Sequence, residues 1–279
     1  MSLHQHRADA TAARTRPRLL PLAFTATALY EFRMAMRGKM LWLSVLPLLA
    51  VALLIMITSP RTANLDDTMA KLATWAVLAN MITTVGTGVS LADRFVRIRG
   101  LGLTELLLST PASVSWRMVG TLFGALTAAL APVAALFLVL GVVTAVTDGA
   151  PASPLWAVLA LLAIVVPGAL VLATFAATLA LFLPLPLARV IAVLGWFWTT
   201  VFSTNLVPLP TPTGTLLSPL GDYAGAGWLH ADVLWAGRGS PGVLSPDPSA
   251  TTALWSVLAL LAVSCVLFLI ARSTTAVRR

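Results

Sequence analysis

Six long apolar stretches limit what this chain can fold into more than any other feature. They lie at Met40–Thr58, Leu72–Leu91, Val119–Val146, Leu155–Leu183, Leu187–Val207 and Leu254–Ile270. None contains Asp, Glu or His, and each is near or above the roughly 20 residues that a helix needs to cross a bilayer. Because 58% of the residues are hydrophobic and only 10% are charged, with a mean hydropathy of +0.92, this surface requires lipid around it.

Backbone polar groups in lipid must be paired within the protein, so only helices and closed barrels cross a membrane. The apolar runs are continuous rather than alternating at every second residue, which favours helices. The sequence therefore predicts an all-α integral membrane protein with six transmembrane helices. Pro167 and Gly168, within the fourth stretch, predict a kink there.

The distribution of basic residues predicts the orientation. Fifteen of the 18 precede the first span, lie in the second or fourth connection, or follow the sixth span; only Arg61, Lys71 and Arg238 fall in the opposite compartment. By the positive-inside rule, both termini are cytoplasmic. We expect a multi-pass protein of the cytoplasmic membrane whose net charge of +8 contacts anionic lipid and not nucleic acid.

The segment before the first span divides into two parts. Residues 1–19, rich in Arg, Ala and Thr, are predicted to be a mobile cytoplasmic tail, and residues 20–279 a single six-helix domain. At helical periodicity, the apolar residues of 20–39 fall on one arc, which predicts an amphipathic helix in the cytoplasmic interface. It is either a membrane anchor or an elbow that carries force into the first span. The arc consists of Leu22, Ala28, Leu29, Phe32, Ala35 and Met36.

The cytoplasmic connection at residues 93–117 opens with arginines, continues with the helix-capable run Leu103–Leu108 and meets a stop at Pro111. Three consecutive leucines in a basic loop predict docking on another protein or, alternatively, insertion into the lipid interface.

The connection at residues 208–251 is rich in Pro and Gly yet apolar, unlike a solvated disordered loop. Short helices that re-enter the outer membrane face, at Thr213–Leu220 and Gly227–Leu234, fit this composition. A lid of irregular structure is the alternative.

Reactive groups for catalysis are sparse. The histidines are His4, His6 and His230, no HExxH or GxSxG motif occurs, and neither Lys39 nor Lys71 belongs to a phosphate-binding loop. The chain is therefore expected not to be an enzyme, to hold no metal and not to hydrolyse ATP. The lack of carboxylates within the spans also argues against an ion-coupled carrier.

Uncharged polar residues do occur inside two of the stretches. In the second, Asn80, Thr83, Thr87 and Ser90 share one helical face. In the fifth, polar residues gather toward the outer half: Thr199, Thr200, Ser203, Thr204 and Asn205. Such stripes most simply join helices, as close contacts at small residues such as Gly120, Gly124 and Ala128 do. The alternative is the lining of a path for an amphipathic substrate.

The order of these parts resembles the membrane subunit of ABC-2-type exporters. The most specific local match lies in the second connection and resembles the family pattern Gly-Thr-x-Glu-x-Leu-Leu-x-x-Pro, with Leu103 where the family often has Thr. Its residues are Gly102, Thr104, Glu105, Leu106, Leu107, Leu108 and Pro111. The run Leu216–Leu220 resembles the family's outer-loop segment more weakly.

The resemblance implies a permease that pairs with a second permease subunit, as a homodimer or with a close relative. It implies that the matched segment is a coupling helix docked on a separate ATP-binding cassette subunit, which binds ATP and Mg, so that this chain needs no cofactor. The second and fifth spans would then line the route, and the outer loop would gate it. Candidate route residues are Asn80, Thr83, Thr87, Thr200, Ser203 and Thr204.

Two readings of function therefore stand. The first is an exporter subunit that moves a small amphipathic or lipid-like substrate out of the cytoplasm or the inner leaflet. The alternative is a non-transporting membrane anchor or assembly protein that docks a soluble partner through the same cytoplasmic loop.

Overall fold

A computed structural model describes residues 24–63, 65–96, 114–202, 210–237 and 244–277, and within these ranges all regular structure is helical. The helices are α1 (24–37), α2 (Lys39–Thr58), α3 (Pro60–Ala63), α4 (Thr68–Leu91), α5 (Val114–Thr147), α6 (Ser153–Ala160), α7 (Val166–Leu179), α8 (Leu185–Thr200), α9 (Asp222–Leu229) and α10 (Ala250–Val277). A π-helical turn at Leu161–Val165 joins α6 to α7 in one continuous helix.

Among the described residues, five helices are long and apolar enough to cross a membrane: α2, α4, α5, the joined α6–α7 helix and α10. The class of all-α multi-pass membrane protein is thereby confirmed. The fifth predicted span is shorter than expected, because α8 ends at Thr200. Its 16 residues extend about 24 Å, less than the roughly 30 Å of a hydrocarbon core.

At the end of α8, the Thr199 and Thr200 hydroxyls both donate to Trp196 O, at 3.0 and 2.7 Å. The predicted remainder of this span, residues 203–207, lies outside the described residues.

Helix α4 lies at the centre of the bundle and packs against α2, α5, α6, α7, α8 and α9. Glycines permit the closest approaches. A Cβ on Gly86 would lie 2.6 Å from Ser44 O of α2, and one on Gly88 would lie 2.6 Å from the Leu172 side chain of α7. Small residues at helix contacts are the usual way to bring helices together in lipid.

The connections gather at two ends of the bundle. At the distal end (residues 58–63, 65–68, 147–153, 210–237 and 244–250), Arg61 pairs with Asp232 at 2.9 Å and Lys71 with Asp148 at 3.2 Å. Hydrogen bonds from Thr147 and Lys71 lower the pKa of Asp148. At the elbow end (residues 24–39, 91–96, 114–118 and 271–277), α1, α4, α5 and α10 meet.

The described part of the 208–251 connection, which we call the distal segment, differs in detail from its prediction. Neither Thr213–Leu220 nor Gly227–Leu234 is a helix; the turns of the first range are followed by α9, at Asp222–Leu229. The backbone sets these limits, because Gly221 (φ 82°) and His230 (φ 54°) both adopt the left-handed conformation that interrupts a helix. The segment is nevertheless folded into the bundle, since Leu220, Tyr223 and Ala224 are buried.

Candidate functional site

Asn80 of α4 joins three parts of the chain. Its Nδ2 donates to Ile164 O of the π turn (3.3 Å), to Pro219 O (3.0 Å) and to Leu220 O (2.8 Å). Its Oδ1 accepts the Thr84 hydroxyl at 2.6 Å. We call these groups the Asn80 cluster. Because Asn80 is twelve residues beyond Thr68, the cluster lies about 18 Å along α4, near the middle of a span.

The π turn prepares the backbone for this contact. Pro167 lacks an N–H and cannot complete a regular α-helical ladder through residues 161–165, and π turns of this kind recur at functional sites. Gly168 keeps the space open: a Cβ there would meet Pro219 O and lie 2.8 Å from Asn80 Nδ2. Pro167 and Gly168 predicted a kink; the described helix has a π turn that ends two residues before Pro167, and the kink itself stays a prediction.

The predicted polar face of α4 separates into two groups. Asn80 bonds to other segments, whereas Thr83 donates to Ala79 O within its own helix at 2.9 Å and Ser90 donates to Thr87 O. The Thr87 hydroxyl is buried and has no hydrogen-bond partner among the described residues. All four side chains lie inside the fold of one chain.

The predicted partner residues in the fifth span are only partly visible. Thr200 is buried and bonds to Trp196 O of its own helix, while Ser203 and Thr204 lie outside the described residues. What joins α8 to α4 is instead Trp196, a fully buried indole whose Nε1 donates to Met81 O at 2.8 Å. Arg189 Nε adds a bond to Val89 O at 3.2 Å.

At the elbow end, α1 lies in a groove of α5. A Cβ on Gly124 would meet Ala28 O, and one on Gly120 would lie 3.0 Å from Phe24 O. The small-residue spacing predicted for close packing thus has α1 as its partner. Of the predicted apolar arc, Ala35 is buried within the bundle, whereas Leu29 is half exposed.

An ion pair joins α1 to the end of α4. Arg94, with a side chain 9% exposed, lies 3.4 Å from Glu31 and 3.6 Å from Asp93. Glu31 of α1 therefore faces a cation of its own chain. The pair stands directly before the predicted coupling segment, whose residues Gly102, Thr104, Glu105, Leu106, Leu107, Leu108 and Pro111 lie outside the described part.

The distal segment is closed by an acid that sequence analysis did not single out. Asp222 accepts three backbone N–H bonds, from Leu234 (3.1 Å), Trp235 (2.6 Å) and Ala236 (2.6 Å). Burial raises the pKa of Asp222 against the opposing effect of these donors. The available signal was an acid between Gly221 and Tyr223 in an apolar, turn-rich connection whose other acids are Asp232 and Asp247. For Trp196, the signal was a tryptophan inside a span and away from the interfaces.

Among the described residues, no group of three or more His, Cys, Asp or Glu is arranged to hold a metal ion. The arrangement instead offers buried hydrogen-bond contacts between helices and a distal segment fixed to the middle of two spans. Comparison of the chain with family models, with curated proteins and with solved structures finds no match.

Proposed function

We propose that this chain is the membrane-spanning permease subunit of an ATP-driven ABC-2-type exporter. In this proposal it has six spans and cytoplasmic termini, pairs with a second permease subunit and moves a small amphipathic or lipid-like substrate outward from the cytoplasm or the inner leaflet. A separate ATP-binding cassette subunit binds ATP and Mg. The distal end then faces outward, and α8 with the residues after it forms the fifth span.

The observation that carries the proposal is the arrangement at the elbow end. The predicted coupling segment begins after α4 and ends before α5, and α1 contacts both helices, through Arg94 and through Gly120 and Gly124. A movement of the coupling segment would therefore reach the elbow helix and two spans together. A simple anchoring loop has no need of such an arrangement.

The polar contacts support a division of roles between the candidate route residues. Asn80 holds the distal segment to two spans, so it is suited to keep the distal end closed. Thr83, Thr87 and Thr200 make no hydrogen bond to another helix among the described residues. For these three to line a route, α4 must separate from a neighbour, and that separation would break none of their own hydrogen bonds.

Co-purification of an ATP-binding subunit tests the proposal. Leu107→Asp places a charge in the expected contact, where an unpaired buried charge costs several kcal/mol. We expect that the ATP-binding subunit no longer co-purifies with the chain and that the ATPase activity of the complex is lost. The chain itself should still insert normally into the membrane. Ala112→Asp, which adds the same charge to the same loop beyond Pro111, is the matched control.

The outcomes of this experiment separate the two functions. Retention of a partner that neither binds nor hydrolyses ATP would favour the anchor or assembly protein. Retention of the ATPase with Leu107→Asp would mean that this segment rests in lipid and does not couple.

Labelling of single cysteines tests the spans and their orientation. In a Cys265→Ala background, cysteines at Ser109, Ala188 and Ser273 should react only from the cytoplasmic side, and cysteines at Thr62 and Ser245 only from outside. Since Thr62 at the end of α2 and Ala188 in α8 are both buried, Asp66 and Leu187 offer more accessible sites in the same two regions. Reaction of either group from the other side would overturn the six-span arrangement.

A further inference from the structure

A cleft opens beside the distal half of the α6–α7 helix. Its volume is about 410 Å³, and it lies between this helix, α9 and the beginning of α10. The walls include Trp156, Leu162 and Ala163 on one side and Trp228, Leu229 and Val257 on the other. None of the described residues that line the cleft is charged.

The cleft follows from how three helices pack. α7 packs against α10, whereas at the distal end α9 occupies the space beside α10. Gly227 allows that contact, because a Cβ there would meet Ser249 O and lie 2.9 Å from the Ala253 Cβ. With α9 held against α10, a gap remains on the side of α6.

The position of the cleft along the helices places it in one half of a bilayer. Ala163 is ten residues beyond Ser153 and Val257 is seven beyond Ala250, so the walls extend about 10–15 Å from the distal ends of their helices. This depth equals up to half of a roughly 30 Å hydrocarbon core. Leucines on both flanks are exposed, including Leu155, Leu162, Leu254 and Leu258.

Trp228 shapes the mouth of the cleft. Its Nε1 donates to Ala250 O at 3.0 Å, which fixes the indole while 36% of the residue stays exposed. Trp156 lies on the facing wall, three residues into α6. Indole rings favour the level where lipid headgroups meet acyl chains, so a pair of them marks that level at the top of an apolar cleft.

We propose that this cleft binds one acyl chain of a bilayer phospholipid from the leaflet on the distal side. A space with apolar walls does not retain water, and about 410 Å³ lies within the range of small-molecule pockets. The walls recognise hydrocarbon and offer nothing to a headgroup, which stays at the level of Trp156 and Trp228. The proposal requires only that the chain spans a membrane, not that it transports.

Photo-crosslinking tests the proposal on the full chain in lipid vesicles. The probe is phosphatidylcholine with a diazirine in one acyl chain, and the sites of attachment are located by mass spectrometry of peptides. We expect residues 159–163 and Val257 to carry several-fold more adduct than the lipid-exposed surface of α5 at residues 138–143, after correction for exposure. Phosphatidylglycerol that carries the same diazirine-labelled acyl chain should attach to the same residues in the same proportions.

Variants that fill the cleft provide the control. Ala163→Phe and Val257→Phe should each reduce adduct in the cleft several-fold and leave the α5 adduct unchanged, whereas Ala135→Phe on the exposed face of α5 should reduce neither. The proposal would be overturned if, in the unmodified protein, the amount of adduct at each residue were proportional to its exposed area, with no excess in the cleft. A pattern that changes with the headgroup would also overturn it. Because the unmodified chain decides, misfolding of a variant leaves the test intact.

Discussion

Helices α4 and α2 are neighbours in the bundle, yet they relate to their surroundings in opposite ways. In the 18-residue apolar stretch that could cross a membrane, 72% of α4 is buried within the protein, against 22% of α2. α4 is also the least apolar of the five long helices, and its second half contains Asn80, three threonines, two glycines and one serine. In lipid, the apolar helix faces outward and the polar one is enclosed, the reverse of the arrangement in water.

The physical reason is that lipid already solvates hydrocarbon. Burial of leucine gains little when the alternative is a lipid chain, so close packing and hydrogen bonds decide which helix becomes central. α4 supplies both, through Gly86 and Gly88 at its contacts with α2 and α7 and through Asn80 at its contact with the distal segment. A polar helix in a membrane protein is thus a predictor of the interior.

The largest expected effect comes from a charge in the interior helix. Asn80→Asp sets a carboxylate where Nδ2 now faces three carbonyl oxygens, and should lower the free energy of unfolding by several kcal/mol. Asn80→Leu, which removes the hydrogen bonds without adding charge, should cost less. The check is thermal unfolding in lipid nanodiscs. Equal stability of Asn80→Asp and the unmodified chain would contradict the claim that the hydrogen bonds of Asn80 hold α4 in the interior.

A matched pair of leucines measures the same contrast in packing. Leu172 of α7 is 2% exposed and contacts Gly88, whereas Leu261 of α10 is 43% exposed. Leu172→Ala should cost about 2 kcal/mol through the cavity that it leaves, and Leu261→Ala about 0.5 kcal/mol or less. If unfolding measurements gave similar losses, burial inside one chain would not govern stability here.

The contact between α1 and α5 tests whether glycine spacing also governs the periphery. Gly124→Leu should displace α1, since even a Cβ meets Ala28 O, at a cost of about 1–3 kcal/mol. Limited proteolysis should then cut more rapidly after Arg33 and Arg37. Ala135→Leu on the exposed face of α5 is the control, and an unchanged cleavage rate in Gly124→Leu would mean that α1 is held by other contacts.

The smallest effects distinguish two threonines on one face of α4. Thr83→Val loses a hydrogen bond to Ala79 O and should cost about 0.6 kcal/mol. Thr87→Val removes a buried hydroxyl that lacks a partner among the described residues, so it should be neutral or slightly stabilising. Melting temperatures of the two variants in parallel decide this. A larger loss for Thr87→Val would reveal a partner of that hydroxyl.

The sequence predicts the helices well because charge-free apolar length is a direct physical requirement of crossing lipid. The helices α2, α5 and α10 begin and end within a few residues of the polar positions that flank the predicted apolar stretches. The predicted end of α8 was wrong, because α8 ends at Thr200 inside an apolar run and hydropathy does not register such an end. The two distal helices were wrong for a similar reason, since backbone conformation at Gly221 and His230 sets the limits of α9.

The contacts of the candidate site were less accessible to sequence reasoning. Periodicity placed Asn80 and Thr83 on one face, yet only Asn80 bonds beyond its own helix. Its partners are carbonyl groups, and those are present at every residue and leave no mark in a sequence. The Glu31–Arg94 pair joins positions 63 residues apart, so nothing local identifies it. The route and the coupling helix stay predictions.

The π turn at Leu161–Val165 also sets a phase between the two halves of the fourth long helix. A π turn accommodates roughly one residue more than an α turn, and one residue corresponds to about 100° of rotation. α6 and α7 are therefore one rod with two registers, each facing different neighbours. Deletion of a single residue within the turn would restore an even rod and rotate the α6 surface, with Trp156, away from α9. The length of this helix, counted to the residue, is thus itself a determinant of which surfaces meet.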